Sequence, residues 1–403
     1  MNTDLDVVLP AGGDLAALAA RSDLQAFGSQ QLDFAAALSR ALTAAPASRR
    51  HPELMALGFW LRPAHVRRLV DGVLSATADR ALLPRGLCLH IAPGNVDTIF
   101  VYSWMLSLLC GNRSIVRLSS RDSAAGTALL AVLGEVLADP AWSAIAERVA
   151  FVRYGHDDAV TARLSAACDL RVIWGGDATI NAVRALPLPP HATELCFPDK
   201  FSLTLLRAAG VAALETTARE RLAKALANDA YTFGQQACSS PRLVLWLGDA
   251  ADTEAARAGL WPAVEAAART LEHGLGIADH LNAEVAADLL ALDADVRIEP
   301  GPALLRRVWL EQPAVHADAH CGGGLFHEAR LDRLADLLPL LSRRIQTVSH
   351  HGFSRDELLR FVRECGPPGI DRLVPVGQAL DFSPVWDGTD LWRAFTREVD
   401  VRV

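Results

Sequence analysis

Residues 86–118 read GLCLHIAPGNVDTIFVYSWMLSLLCGNRSIVRL, and the fold turns on this stretch. Residues 86–92 form a short apolar run of the kind that makes a buried strand. Pro93-Gly94-Asn95 is a turn. Residues 96–110 are apolar over a length that suits a buried helix, which Gly111-Asn112 ends, and 114–118 is a second strand. Strand, turn, helix and strand in that order make a βαβ unit, which predicts a parallel sheet covered by helices. In such sheets ligands bind where loops leave the carboxyl ends of the strands. Residues 93–95 and 117–121 both fall at such ends.

The same rhythm continues downstream. Helices are expected over 124–138 and 158–167, and strands over 149–154 and 170–174. Gly175-Gly176-Asp177 follows the last of these and leads into a helix over 178–185. Two adjacent glycines between strand and helix allow a close backbone approach and open a helix N-terminus, a common phosphate address; plain turn geometry is the competing reading. Upstream, residues 1–80 read as a helical lead-in, with Ala/Leu faces over 15–21, 30–42, 52–61 and 63–76. A Pro-rich break covers 187–190, and a domain change is placed near Ala208. Beyond it, helices are expected over 252–274, 281–292, 331–338 and 356–364, and strands over 296–299, 308–312 and 345–348.

Composition bounds the function. The chain has 403 residues, 51% of them hydrophobic, enough for two domains. Its net charge of −8 argues against a nucleic-acid surface. No apolar run reaches membrane-spanning length. Seven cysteines, no CxxC pair and no signal peptide suggest reduced thiols in a cytoplasmic protein.

One thiol stands apart. Residues 231–242 read YTFGQQACSSPR and place Cys238 between a helical segment, 216–230, and an apolar strand, 243–247. A cysteine in a turn of small and amide side chains is open to a substrate, and a thiolate attacks carbonyl carbon well. A buried structural cysteine is the alternative. His316, His320, Cys321 and His327 crowd another segment, but their spacing matches no closed tetrahedral set, so no metal is expected.

Taken in order, these blocks resemble the aldehyde dehydrogenase superfamily, and within it the LuxC-type acyl-CoA reductases. Pro93-Gly94-Asn95 resembles the superfamily's proline-x-asparagine turn. Gly111-Asn112 with Arg117 and Ser119 resembles the Gly-Asn…Lys-Pro-Ser cofactor strand. Ile173-Trp174-Gly175-Gly176-Asp177 resembles the Phe-Thr-Gly-Ser turn. Gln235-Gln236-Ala237-Cys238 resembles the Gly-Gln-x-Cys nucleophile segment, with Gln235 where glycine is usual. The tail over 371–388, DRLVPVGQALDFSPVWDG, is similar to the LuxC type in particular.

The resemblance implies an α/β fold of two domains, each with a parallel-rich sheet flanked by helices. Residues 1–80 would be the helical N-terminal region, 81–208 the nicotinamide cofactor-binding domain, and 209–403 the catalytic domain with its C-terminal tail. It implies reduction of a long- or medium-chain fatty acyl thioester to the aldehyde by NADPH (NADP). Cys238 would carry the acyl group, and Asn95 with the Cys238 backbone N–H would form the oxyanion hole. Arg117 would stand near the adenosine ribose, where a cation favours a 2′-phosphate, and Ser119 would belong to the same cofactor strand. Gly175, Gly176 and Asp177 would line the cofactor. The family's Glu-Leu-Gly-Gly base segment is reduced here to Glu194-Leu195, so Glu194 is the candidate base. A reductase need not activate water, so a weakened base site fits reduction better than oxidation. The Glu-x-Phe-Gly-Pro motif is missing, and the nearest stretch is His320-Cys321-Gly322-Gly323-Gly324. The acyl donor would be acyl-CoA or an acylated partner protein of the acyl-protein synthetase kind, and the assembly a homodimer or homotetramer. An aldehyde dehydrogenase working in the oxidative direction, or an inactive scaffold subunit of a reductase complex, are the alternatives.

Overall fold

The computed structural model describes residues 5–94, 98–120, 123–271 and 275–402. Two compact units divide the chain. The first comprises residues 1–198 and 382–403, and the second residues 199–381. The division at 198/199 precedes the expected boundary at Ala208 because the strand over 201–207 is a central member of the second unit's sheet. The tail from Phe382 rejoins the first unit.

In chain order the strands of the first unit are β1 (Asp6–Leu9), β2 (Ala81–Pro84), β3 (Leu87–Ile91), β4 (Arg113–Arg117), β5 (Val149–Arg153), β6 (Leu170–Trp174) and β7 (Thr193–Phe197). Its sheet runs β1-β5-β4-β3-β6-β7, parallel throughout except for β1. The apolar run in β3 is buried at every position because helices cover both faces. Helix Ile99–Leu109 supplies one cover, burying Phe100, Trp104, Met105 and Leu109. The strand order reverses at β3, which pairs with β4 on one side and β6 on the other. The carboxyl ends of β3 and β6 therefore mark the switch point of the sheet, the place where doubly wound sheets bind ligands.

The second unit contains β8 (Phe201–Arg207), β9 (Pro241–Leu247), β10 (Val296–Glu299), β11 (Arg306–Leu310), β12 (Leu325–Leu331), β13 (Ile345–His351) and β14 (Arg372–Pro375). They run β10-β11-β12-β9-β8-β13-β14, parallel except for the edge strand β10. One face packs Leu203, Leu205, Leu245 and Val348 into a core. The other packs Val244, Trp246 and Phe326 against Leu226, Leu260 and Trp261 from the helices. Two parallel-rich sheets flanked by helices are the architecture that the resemblance implies, and the βα rhythm accounts for their parallel strands.

Among the strands unread in the sequence, β1 and β12 are instructive. β1 docks on β5 as an antiparallel edge, within the segment expected to be helical. β12 falls partly where a helix was expected over 331–338, which is instead a 3-10 helix, Leu334–Leu340, after the strand. Its sequence, LFHEARL, lacks a continuous apolar run, yet Glu328 is completely buried. The carboxylate accepts hydrogen bonds from Trp246 Nε1 (3.0 Å), Trp261 Nε1 (2.7 Å) and Arg257 Nε (2.9 Å). A fully paired charge is what lets an acidic residue sit mid-sheet.

The tail closes the first unit. Strands β15 (Val385–Trp386) and β16 (Thr389–Asp390) form a tight hairpin, and β17 (Thr396–Val399) pairs antiparallel with β2. The hairpin turn is Asp387-Gly388, both with positive φ (48° and 71°), as a two-residue turn of this twist requires. Trp386 stacks on Phe382 (4.8 Å), and Phe382 packs on Tyr102 (4.9 Å) and Trp60. The Trp-Asp-Gly segment therefore has a structural role in this unit.

Candidate active site

Helix Thr216–Tyr231 ends with two backbone bonds that define a Schellman cap. Gln235 N–H donates to Ala230 O (2.7 Å) and Gly234 N–H to Tyr231 O (3.0 Å). Gly234 supplies the left-handed residue (φ 57°) that this cap needs, and Gln235 follows in the same region (φ 63°). That explains why glycine suits the Gln235 position in similar sequences. Here the glutamine does other work. Its side chain is fully buried, donating to Pro241 O and Leu325 O (both 2.8 Å) and accepting from Gly324 N–H (3.0 Å). The amide thus ties the cysteine turn to the starts of β9 and β12.

Cys238 sits in this turn, half-buried, just before β9. Ser202 Oγ on β8 donates to the Cys238 carbonyl (2.7 Å) and accepts from Thr347 N–H on β13 (3.2 Å). Gln346 Nε2 donates to the thiol Sγ at 3.4 Å. Arg242 lies near enough for its charge to interact with Cys238, and burial pulls the pKa of this guanidinium down. The other thiols differ. Cys88 and Cys110 are entirely buried and held well above the usual thiol range by burial, which pushes Cys168 and Cys196 up to about 11. Cys238 is thus a half-buried thiol with an amide donor aimed at its sulfur, held in a side-chain-stapled turn.

The glycine run 322–324 is part of the same scaffold. All three residues have positive φ (80°, 67° and 84°). A Cβ on Gly322 would meet Gln236 Nε2 at 2.3 Å, and one on Gly324 would meet Leu304 O at 2.2 Å. Gly323 N–H donates to Gly234 O (3.0 Å), and Gln236 Nε2 to Cys321 O (2.7 Å). His320 completes it: Nδ1 accepts from Gly322 N–H (3.0 Å) and Nε2 donates to Leu325 O (2.7 Å). That pattern fixes a neutral imidazole, and burial holds its pKa well below the usual value. Among the described residues no group of three or more His, Cys, Asp or Glu side chains is placed to hold a metal.

In the first unit, the candidate cofactor residues gather at the carboxyl ends of the strands. Gly94 follows β3, and a Cβ there would sit 3.0 Å from Ser119 Oγ, beyond β4. Arg117, the last residue of β4, has its guanidinium 4.8 Å from the Tyr154 ring centroid and donates weakly to Gly155 O (3.4 Å). Gly175 follows β6 and donates to Phe197 O (3.2 Å), over a floor made by Trp174 stacked on Phe197 (3.9 Å). Gly176 caps helix Asp177–Arg184 with ordinary extended angles (φ −68°, ψ 159°), and a Cβ there would meet nothing within 4 Å. Turn geometry therefore does not demand glycine at 176; it leaves the helix N-terminus bare. Asp177 occupies the first turn of that helix and is exposed. Asn95 lies outside the described residues.

Glu194 is engaged elsewhere. It stands opposite Arg171 in the β6–β7 register and forms a short two-pronged ion pair with that guanidinium. Arg184 Nε adds a bond of 3.0 Å. A carboxylate whose oxygens are both engaged by guanidinium groups has no lone pair turned to a substrate, so the geometry favours a structural pairing over the general-base role. His350 and His351 end β13 half-buried, with pKa values lowered chiefly by burial.

The fold is that of the aldehyde dehydrogenases. The NAD-dependent benzaldehyde dehydrogenase of Corynebacterium glutamicum superposes with a TM-score of 0.62 at 13% identity, over 92% of this chain and 84% of that one. Proline utilization A of Bradyrhizobium japonicum gives 0.62 at 16% identity, over 96% and 44%. Within that class the chain is LuxC-like: residues 76–271 match the family described as Acyl-CoA reductase (LuxC). The long-chain acyl-protein thioester reductase of Aliivibrio fischeri is 31% identical over 169 residues, 41% of this chain and 33% of that protein. Long-chain acyl-protein thioester reductase 2 of Photobacterium leiognathi is 29% identical over 171 residues, 42% and 34%. The matched stretch thus spans about a third of these relatives.

Proposed function

We propose that the chain reduces a fatty acyl thioester to the aldehyde through a thioester on Cys238, with NADPH as reductant. The observation that carries this reading is the cysteine turn: a half-buried thiol with an amide donor on its sulfur, in a turn stapled by Gln235. The oxidoreductase class and the acyl thioester substrate are supported by the relatives named above.

In this reading Cys238 Sγ attacks the acyl carbonyl carbon, a new C–S bond forms, and the donor thiol leaves. When bound, the nicotinamide cofactor supplies hydride to that acyl carbon. The C–S bond to Cys238 then breaks, and the aldehyde departs. The first unit's residues fit such a group. Arg117 stands at the end of the second parallel strand of the doubly wound sheet, where a cation suits a 2′-phosphate. Gly175 and Gly176 leave a bare helix N-terminus for a pyrophosphate, and Ser119 and Gly94 border the same end of the sheet. The exposed Asp177 opposes an anion there and sets a limit on how close it comes. Asn95 is proposed as the oxyanion-hole side chain. The donor is acyl-CoA or an acylated partner protein. No water has to be activated, so the clamped state of Glu194 is compatible with reduction and unhelpful to an aldehyde-oxidising enzyme.

The test is intact mass after incubation with a medium-chain acyl-CoA, before and after adding NADPH. One acyl adduct, absent in Cys238→Ala and discharged as aldehyde by NADPH, is the expected result. Absence of an adduct from acyl-CoA and from an acylated carrier protein alike would overturn the reading.

A further inference from the structure

The Cys238 turn lies against two irregularities in the second sheet. In the β8–β13 pairing, Phe201 opposes Ile345 and Leu203 opposes Val348, so Gln346 and Thr347 together face Ser202. In the β8–β9 pairing, Ser202 opposes Pro241 and Leu203 opposes Leu243, so Arg242 is the extra residue. Both strands flanking β8 carry one surplus residue at the level of Ser202. Bulges bend a strand and re-aim a side chain, and they collect beside active sites. Here the re-aimed side chain is Gln346, whose Nε2 points at Cys238 Sγ.

A hydroxyl on the neighbouring residue orients the amide. Thr347 Oγ1 donates to Gln346 Oε1 (3.3 Å), which leaves the NH2 end for the sulfur. Gln346 is fully buried, and so is Thr347. Ser202 fixes the height of the turn through the Cys238 carbonyl and the Thr347 N–H. The donor, its orienting hydroxyl and the sulfur are thus held by one bulge.

We propose that Gln346 is the hydrogen-bond donor that holds Cys238 as a thiolate, the bulge in β13 existing to deliver that amide. This rests on the reading of Cys238 as the acyl acceptor and adds a residue to it. A donor binds the anion more strongly than the neutral thiol, so it raises the thiolate fraction at a given pH. The same contact serves twice. It stabilises the sulfur anion before Sγ attacks the acyl carbon, the step that forms the new thioester and expels the donor thiol. It stabilises it again after hydride transfer, when the C–S bond breaks and Sγ takes back the electron pair.

The experiment follows iodoacetamide alkylation of Cys238 against pH, read on the Cys238 peptide by mass spectrometry, in wild type, Gln346→Met and Gln346→Glu. Methionine keeps the volume without the donor, and glutamate places an acceptor against the sulfur. The expected result is an alkylation midpoint about one pH unit higher in Gln346→Met, with the rate at pH 7 about tenfold lower, and a larger shift in Gln346→Glu. At a pH well above both midpoints the rates converge, which a change in access alone would not produce. Thr347→Val, which removes the orienting hydroxyl, shifts the midpoint in the same direction by less and covers the case in which a Gln346 variant fails to fold. An unchanged midpoint in the folded variants would overturn the proposal. The assay needs neither acyl donor nor cofactor. A shifted midpoint without any acyl adduct would therefore sink the reductase reading and leave the hydrogen bond standing.

Discussion

Gln235 offers a prediction in which two effects of opposite sign can be separated. The residue holds a left-handed backbone (φ 63°) and three hydrogen bonds through a fully buried side chain. Replacing it with alanine removes all three bonds and keeps the strained backbone. Leu325 O retains His320 as a donor, so the main losses fall on Pro241 O and Gly324 N–H. At about 1 kcal/mol per lost bond, Gln235→Ala destabilises the second unit by about 3 kcal/mol. Glycine loses the same bonds but relieves the left-handed cost, about 1 kcal/mol. Gln235→Gly should therefore destabilise by about 2 kcal/mol and remain the better of the two. Urea denaturation at matched m-values gives the comparison, and alkylation of Cys238 in the native state reports whether the turn has loosened. If alanine proves no worse than glycine, or both lie within about 0.5 kcal/mol of wild type, the account of the turn as a strained, side-chain-stapled cap is wrong.

Three further outcomes are expected. Asp229 is buried, accepts from Gly377 N–H (2.6 Å) and Ala379 N–H (3.1 Å), and is raised by burial from 3.8 to about 7. The folded state therefore binds a proton that the unfolded state has released, so this group's contribution to stability falls as pH rises from about 4 to about 7. The difference in unfolding free energy between wild type and Asp229→Asn should decline over that window by at most about 4 kcal/mol, and a flat difference counts against it. Glu328→Gln leaves Arg257 and two indole donors facing a neutral amide, at a cost of about 3–5 kcal/mol by urea unfolding; a loss under about 1 kcal/mol refutes the buried-charge account. Arg117→Met should weaken NADPH binding about tenfold in fluorescence titration and leave NADH nearly unchanged, whereas an equal loss for both would remove Arg117 from the 2′-phosphate.

The parts of the fold that were legible are those whose local pattern matches their final environment. β6, Leu170–Trp174, is apolar apart from Arg171 and is buried on both faces, so run length alone reveals it. The two glycines after it mark a strand-to-helix turn in any βα repeat. β12 was illegible for the opposite reason: its buried Glu328 is balanced by Arg257, Trp246 and Trp261, which are distant in sequence. Glu194 was a candidate base from its Glu-Leu motif alone, because Arg171 and Arg184 converge on it only once β6 and β7 pair. At the candidate site, Cys238 and its turn were readable from small and amide residues between helix and strand. Gln346 and Ser202 were not, because a bulge leaves no periodic mark and their partner is reached through sheet pairing. Gly322, Gly323 and Gly324 did carry a signal: three consecutive glycines ask what backbone lies too close for a Cβ, and the answer is the cysteine turn and its neighbours.

The placement of the tail has a consequence for how the protein is made. The second unit is an insertion between Pro198 and Phe382 of the first. Synthesis runs from the N-terminus, so the ribosome has delivered every strand of the inserted unit before it releases β17, the partner of β2. The inserted unit can complete its sheet while the first still waits for the ring of Phe382, the hairpin at Asp387-Gly388 and the strand Thr396–Val399. During that interval β2 has an open edge, and Trp60 and Tyr102 lack the aromatic ring they later grip. The first unit, begun earliest, is finished last, and a nascent chain stalled before residue 382 should expose it to proteolysis while sparing the insertion.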